Sequence, residues 1–348
     1  MIGGAASVAP LRTLAIAAAG GIAFDLLGLP GPYLSGAILA CSVAALAGLE
    51  QRVPRRLRDA AYALLGVVVG STIDADTLRL LPQWPVSLAA LAVAMAALLL
   101  VLPRYFVAVH RIDPSTAKLC AVPGALSLVM AMAEDLAVDG RRVAVLQSLR
   151  LVMLMLLVPA AVGVGLDPGT SVGAPQALLG AADAALVLTL SALGIPLAAR
   201  LRIPGPSFTG PMLTSGVLFA SGAVSGALPA PLIAVAFVAM GASIGARFTG
   251  VDRAYLLSCL GAGTGGALIA IALTGLVAWP AAALLDLPFI QIWLAIAPGG
   301  FDAMTALALA LEVDPAFVAG HQLVRLIGLF VLVPFLFRGL DRASSRVP

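Results

Sequence analysis

Charge is what this sequence has least of. Only 11% of its 348 residues are Asp, Glu, Lys or Arg, against 61% hydrophobic residues and a mean hydropathy of +1.08; a soluble domain carries about 25% charged residues. That deficit excludes a water-soluble fold. Net charge is +3, and the 20 basic residues are spread through the connections rather than gathered on one face, so nucleic acid is not an expected partner. Cysteine is almost as rare. Cys41, Cys120 and Cys259 each lie inside an apolar stretch and none forms a Cys-x-x-Cys pair, which excludes a disulfide or thiolate-metal framework. The two histidines, His110 and His321, are too far apart to make the clustered ligands of a copper or iron oxygenase. No paired carboxylates with acid/base spacing, no Gly-x-Ser-x-Gly elbow and no Walker loop occurs. No catalytic residue, metal ligand or cofactor is expected, and the chain does not read as an enzyme.

What the sequence does hold is long apolar runs, at about 11–29, 33–49, 60–75, 84–103, 119–135, 143–166, 177–199, 206–228, 230–247, 254–280, 289–311 and 317–337. At ~20 residues per crossing they consume most of the chain and leave no room for a soluble domain. Met1 to Pro10 lacks the basic region that precedes a cleaved signal's apolar core, and the run opening at Arg12 is expected to stay as a transmembrane helix.

The second six runs repeat the first six at an offset of 174–175. Leu29-Pro30-Gly31-Pro32, followed by Gly36, recurs as Ile203-Pro204-Gly205-Pro206, followed by Gly210. Gly66-xxx-Gly70 recurs as Gly241-xxx-Gly245, Pro123-Gly124 as Pro298-Gly299, Val138-Asp139 as Val313-Asp314, Gln147-xx-Arg150 as Gln322-xx-Arg325, and Pro159 as Pro334. The chain thus reads as two membrane repeats, 10–166 and 177–337.

Basic residues choose between topologies, because Lys and Arg accumulate in short cytoplasmic loops. If all twelve runs cross, the basic loop residues divide eleven against seven. If the fifth run of each half instead dips in and returns, they divide seventeen against one, Arg79, with Arg150 and Arg325 inside the membrane. The expected fold is therefore an all-α polytopic membrane protein of two inverted repeats, each with five transmembrane helices plus one re-entrant, broken hairpin, and with both termini cytoplasmic.

Inverted repeats with paired broken elements are a transporter architecture. The expected breaks are Pro123-Gly124-Ala125-Leu126-Ser127 and Pro298-Gly299-Gly300-Phe301-Asp302, where exposed amides could hold an anion; the plainer reading is a Pro that opens an ordinary helix. Arg150 and Arg325, each three residues after Gln147 or Gln322, fall near mid-membrane, where an ionisable group costs at least ~2.5 kcal/mol and needs a partner or water. Either these pairs flank a substrate, or each Arg caps carbonyls of the broken element. Asp302 stands where the first half has Ser127. It is a candidate for pairing with an Arg or binding a coupling proton or sodium ion, or is a helix cap. His321 reads as a buried, hydrogen-bonded histidine, and Gly222/Gly226 and Gly261/Gly265 as close helix packing.

The duplicated pattern of Pro-Gly-Pro turn, Gly-xxx-Gly helix, Pro-Gly-Gly segment and Gln-xx-Arg helix resembles the AbrB-type duplicated bacterial inner-membrane family over nearly the whole chain. Members are often named after a regulator of gene expression or an ammonia monooxygenase. The resemblance implies a bacterial plasma-membrane protein and places the family's characteristic stretches on 123–127, 298–302, 147–150 and 322–325. Ala125 departs from the usual second glycine, and Leu128 and Ala303 stand where an acidic residue is frequent, which tells against an acidic ligand there.

The candidate site is thus Pro123, Gly124, Ser127, Gln147, Arg150, Pro298, Gly299, Gly300, Asp302, Gln322 and Arg325. The expected partners are the lipid bilayer, a small, anionic solute and, as an oligomer, a homodimer. The expected function is secondary transport by alternating access. The alternatives are a membrane-embedded regulator acting through a docking partner at Arg52–Arg58, and a membrane oxidoreductase.

Overall fold

The computed structural model describes residues 3–73, 82, 84–124, 126–135, 138–165 and 177–337. Among the described residues there are fourteen α-helices and one isolated bridge, between Leu178 and Ala227. Seven helices lie in the first part of the chain: α1 (Gly3–Leu26), α2 (Pro32–Leu46), α3 (Arg55–Ser71), α4 (Trp84–His110), α5 (Pro114–Ala121), α6 (Leu126–Asp135) and α7 (Gly140–Gly163). Seven more follow: α8 (Ala181–Arg200), α9 (Pro206–Ala220), α10 (Ala230–Gly245, extended by a 3-10 turn to Phe248), α11 (Arg253–Leu285), α12 (Phe289–Ile296), α13 (Phe301–Ala310) and α14 (Pro315–Phe337).

Among the described residues seven helices are long and apolar enough to cross a membrane: α1 from Val8, α4, α7, α8, α10 with its extension, α11, and α14 to Leu332. The chain is an all-helical membrane protein. The ten crossings expected from sequence exceed this number because α2, α3 and α9 have 15, 17 and 15 residues. At 1.5 Å per residue they reach only ~22–26 Å of a ~30 Å hydrocarbon core. Arg79, the lone basic residue on the far face in the sequence count, lies outside the described residues.

The runs expected at 119–135 and 289–311 are each two helices. α5 and α12 have eight residues and α6 and α13 have ten, so none exceeds ~15 Å. The first pair ends in extended backbone at Val122 and Ala297, and the chain restarts as helix a few residues later.

Local chemistry accounts for the other repeated motifs. Gly31 and Gly205 occupy the left-handed region, φ 59° and 64°, at the N-caps of α2 and α9. Glycine alone does this without strain, and the following Pro needs no partner for an absent N–H. Asp139 accepts from the Arg142 amide at the start of α7, and Asp314 accepts from the Ala316 and Phe317 amides at the start of α14, so the repeated Val-Asp is a helix N-cap.

Close packing rests on glycine. A Cβ on Gly36 of α2 would strike the Gly20 carbonyl oxygen of α1, and one on Gly210 of α9 would lie 2.5 Å from the Gly194 carbonyl oxygen of α8. α10 runs parallel to α2, with Gly241 against Leu34 and Gly245 against Ile38 and Cys41; α9 runs parallel to α3, with Gly66 against Phe208 and Gly70 against Met212 and Ser215. α3 and α10 are antiparallel: Gln51, ahead of α3, bonds Thr249, just past α10, and further along Tyr62 meets Ser243 at 3.3 Å. Small residues let backbones approach where lipid tails compete for every apolar contact. Gly261 and Gly265 on α11 do pack against α4, at His110 and Tyr105. Gly222 and Gly226 do not pack helices. They have φ of 72° and 120° in the turn after α9, because that chain must reverse toward Leu178.

Contacts also fix which helix ends are neighbours. At one end of the bundle Arg12 donates to the Glu50 carbonyl, Thr249 and Gln51 bond each other, the His110 ring meets Gly261, and Asp139 accepts from Tyr255, over which Arg141 sits at 4.1 Å. The chain entering α5 and the chain leaving α6 therefore both lie beside the first turns of α11. At the other end Pro30 packs against Gly163, Ala310 against Gly31, and Trp84 against Gly320, while Phe289 meets Trp279.

Gly36→Ala is expected to lower thermal stability in detergent by about 1–3 kcal/mol, the usual cost of overpacking. Gly328→Ala, which has open space around it, is expected to cost nothing. Equal melting temperatures for the two variants would contradict this packing.

Candidate functional site

A short helix that ends in extended backbone strands its last carbonyls. α5 and α12 end in this way, and the final helix of each half supplies the donors. Gln147 Nε2 donates to Leu119 O at 3.2 Å, Arg150 Nη1 to Cys120 O at 3.2 Å and Arg150 Nη2 to Val122 O at 3.1 Å. In the second half Gln322 Nε2 donates to Leu294 O at 2.7 Å and Ala297 O at 3.1 Å. Arg325 Nη1 and Nη2 donate to Ala297 O and Gly299 O, each at 2.6 Å. Residues three apart share a helix face, so a Gln-xx-Arg pair reaches successive carbonyls. The arginine charge also meets the negative end of the helix dipole. The capping alternative raised by the sequence is thus what the hydrogen bonds show. Both arginines lie ten residues past Gly140 or Pro315, ~15 Å along α7 or α14.

The two breaks touch. A Cβ on Gly124 (φ 77°) would lie 2.6 Å from Gly299 O and 2.5 Å from Arg325 Nη2. The buried Nε atoms of Arg150 and Arg325 and Oε1 of Gln322 have no hydrogen-bond partner among the described residues.

Above this crossing is a cavity of about 570 Å3, within the range of small-molecule sites. Of the sequence candidates, Gly124, Gln147, Arg150, Pro298, Gly299, Gly300 and Asp302 line it. Pro123 is buried, and Gln322 and Arg325 are buried behind the lining. Ser127 belongs to α6, and its side chain lies outside the described residues. The cavity leads to the end of the bundle that carries Arg55, Arg58 and Arg247, which line it together with Asp59, Tyr62 and Ser243. Asp59 pairs with Arg58 at 3.0 Å and Arg55 at 3.6 Å. The Tyr62 hydroxyl lies 3.3 Å from Ser243 Oγ, and Asp302 lines the same space.

Sequence reasoning left these six residues out of the site because it followed the matches between repeats; Arg55 and Arg58 entered it only as part of the docking loop Arg52–Arg58. The signal lay in the mismatches. At the 175-residue offset Arg55, Arg58, Asp59 and Tyr62 correspond to Ala230, Ile233, Ala234 and Phe237, while Ser243 and Arg247 correspond to Val68 and Thr72. One half's polar face is the other's apolar face.

His321 is held by Ser87 Oγ at 2.7 Å and Phe317 O at 2.9 Å and packs on Phe317 and Trp84 rings, as expected of a buried histidine. Asp25 accepts from the Tyr33 hydroxyl at 3.2 Å. Among the described residues no three His, Cys, Asp or Glu side chains gather as metal ligands.

Residues 33–341 match the family model described as "Transition state regulatory protein AbrB". The chain is 28% identical over 338 residues to "Putative regulator AbrB" of Escherichia coli (strain K12), covering 93% of this chain and 94% of that protein. It is 26% identical over 356 residues to "Uncharacterized protein YhjN" of Bacillus subtilis (strain 168), covering 93% and 91%.

Arg325→Met leaves two stranded carbonyls without a charged donor, at about 1–3 kcal/mol each. It is expected to depress the melting temperature far more than Arg55→Met, whose side chain is 87% exposed. Thermal unfolding of both variants in detergent checks this; equal shifts would contradict a capping role.

Proposed function

The chain belongs to the AbrB family, and from that premise we propose that it is a secondary transporter that moves a small organic anion across the bacterial inner membrane by alternating access. The observation that carries this reading is the pair of broken helices meeting at the floor of a basic cavity that leads to one end of the bundle.

Alternating access needs two arrangements related by inversion. Two sets of contacts support it. α2 is parallel to α10, α3 to α9, and these two pairs are antiparallel to each other, so α2 and its repeat mate α9 run in opposite directions. Likewise α5 enters and α6 leaves beside the start of α11, whereas α12 begins beside the end of α11 and α13 ends against the start of α2. Each broken element then re-enters on its own side, from opposite faces, and counting the short helices α2, α3 and α9 as crossings gives five in each of 10–166 and 177–337. Arg12, Arg52, Arg55, Arg58, Arg141, Arg247 and Arg253 gather at one end, which the positive-inside rule makes cytoplasmic, with both termini on that side. The cavity then opens inward.

Anion selectivity follows from fixed charge. Arg55, Arg58, Arg150 and Arg247 line the cavity, as do Gly300, Phe301 and Asp302 at the start of α13. Asp302, beside Tyr62 in the same space, is the group available to a coupling proton or sodium ion.

The printed name of the Escherichia coli relative keeps a regulatory reading in view. Its docking surface would be Arg52–Arg58, and Arg55 and Arg58 line the cavity mouth instead, which favours transport.

In proteoliposomes carrying the full chain, uptake of small carboxylates is expected above that of protein-free vesicles, and Gly124→Val, which drives a side chain into the crossing, is expected to reduce it at least tenfold. Uptake indistinguishable from protein-free vesicles across a carboxylate panel would overturn the proposal.

A further inference from the structure

The helices sort into two bundles. α1, α2, α3, α8, α9 and α10, the first three helices of each set of seven, pack on one another, and α4 to α7 with α11 to α14, which include both broken elements, form the second. Within the first bundle backbones interlock: a Cβ on Gly241 would lie 2.7 Å from Leu34 O, and one on Gly210 2.5 Å from Gly194 O. Within the second, a Cβ on Gly263 would lie 2.5 Å from Leu149 Cδ1, and side chains tie helix to helix, Trp293 Nε1 donating to Thr274 Oγ1 at 3.1 Å and Ser87 Oγ pairing with His321 Nε2 at 2.7 Å. Contacts this close resist sliding, because displacing either partner creates overlap or strands a buried polar group.

The seam between the bundles is different. Glycines that meet the opposite bundle do so at ordinary van der Waals distance: a Cβ on Gly31 would be 3.4 Å from Ala310 Cβ, one on Gly163 3.4 Å from Pro30 Cδ, and one on Gly205 4.0 Å from the Phe301 ring. Phe208 and Phe301 meet edge-on across it at 5.4 Å, and Ser35 Oγ donates to Met155 O at 3.2 Å. The cavity lies in this seam. Tyr62, Phe208 and Ser243 wall it from the first bundle, and Gly124, Gly299 and Leu326 from the second. Away from the cavity mouth the seam is shut, by Pro30 against Gly163 and Ala310 against Gly31.

We propose that the second bundle slides as one rigid body along the first, carrying both broken helices, so that the seam shuts at the mouth and opens where Gly31 now meets Ala310. This rests on the transport reading and assigns its moving part. Rigid-body shear needs a moving unit that keeps its own bonds in both positions. Gln147, Arg150, Gln322 and Arg325 keep theirs, because each cap and the helix it caps belong to the same bundle. No carbonyl is stranded by the motion.

The test compares two introduced cysteine pairs in the full chain in proteoliposomes; the three native cysteines are buried. Gly31→Cys/Ala310→Cys crosses the seam with Cβ atoms 3.4 Å apart, and Ala133→Cys/Gly140→Cys lies inside the second bundle with Cβ atoms 3.5 Å apart, both close to disulfide spacing. Each protein is assayed oxidised and again after dithiothreitol, so that strain from a side chain at Gly31 (φ 59°) is common to both states. Oxidation across the seam is expected to cut carboxylate uptake at least tenfold, reversibly, and oxidation within the bundle to change it less than twofold. Unchanged uptake with the seam disulfide formed, or a tenfold loss from the disulfide within the bundle, overturns the sliding. A second measurement needs no substrate: nitroxide labels at the exposed positions Leu100 of α4 and Leu197 of α8 are expected to give two distance populations in liposomes, and labels at Leu197 and Val217 of α9, within the first bundle, one. No uptake by the unmodified protein overturns the transport reading instead, and a single distance for both label pairs overturns the sliding whatever the uptake.

Discussion

A backbone carbonyl stranded inside a bilayer has to find a donor, and the architecture is organised around that requirement. On the proposed topology α5 and α12 stop short of crossing, and their terminal oxygens would face a medium that offers no hydrogen bonds. Each half meets the demand from its last helix, with a glutamine and an arginine one turn apart. A buried guanidinium is itself expensive to hold in hydrocarbon. Here the two liabilities offset each other: cation and helix end neutralise, and donor and acceptor pair. On that topology the break would lie at mid-membrane depth, and with it a polar spot that a solute could use.

Much of the scaffold was legible in the sequence. Low charge and long apolar runs fixed the class, and motifs recurring at one offset mark positions where the backbone does something specific. Gly31 and Gly205 hold a left-handed cap, Asp139 and Asp314 begin the final helices, and Gln147/Arg150 and Gln322/Arg325 close the broken ones. Hydropathy alone could not see that 119–135 and 289–311 are each two helices, because a break lined by apolar residues leaves the average unchanged. Nor could it separate short helices from spanning ones. The Gly222/Gly226 pair shows a further limit, since small-xxx-small spacing is the same in a turn as in a helix.

The candidate site was half legible. Its floor comes from repeated motifs, and its wall comes from places where the repeats diverge: a basic, tyrosine-bearing face of α3 against the alanine and phenylalanine face of α10. Shared residues keep the paired breaks in register, and divergent ones give the two sides different chemistry. On the inverted reading, a cavity opening at the far end would be lined by Ala230, Ile233 and Phe237, so an anion would be drawn in on one side and released from an apolar vestibule on the other. Such asymmetry in a near-symmetric frame would favour one direction of loading.

The account's central claim is that the two broken elements open to opposite faces of the membrane. The most direct measurement is labelling of single introduced cysteines, Arg141→Cys after α6 and Glu312→Cys after α13, with a membrane-impermeant maleimide in sealed vesicles of known orientation; the three native cysteines are buried. The account predicts that Arg141→Cys reacts only from the cytoplasmic side and Glu312→Cys only from the opposite side. Labelling of both from the same side would contradict it.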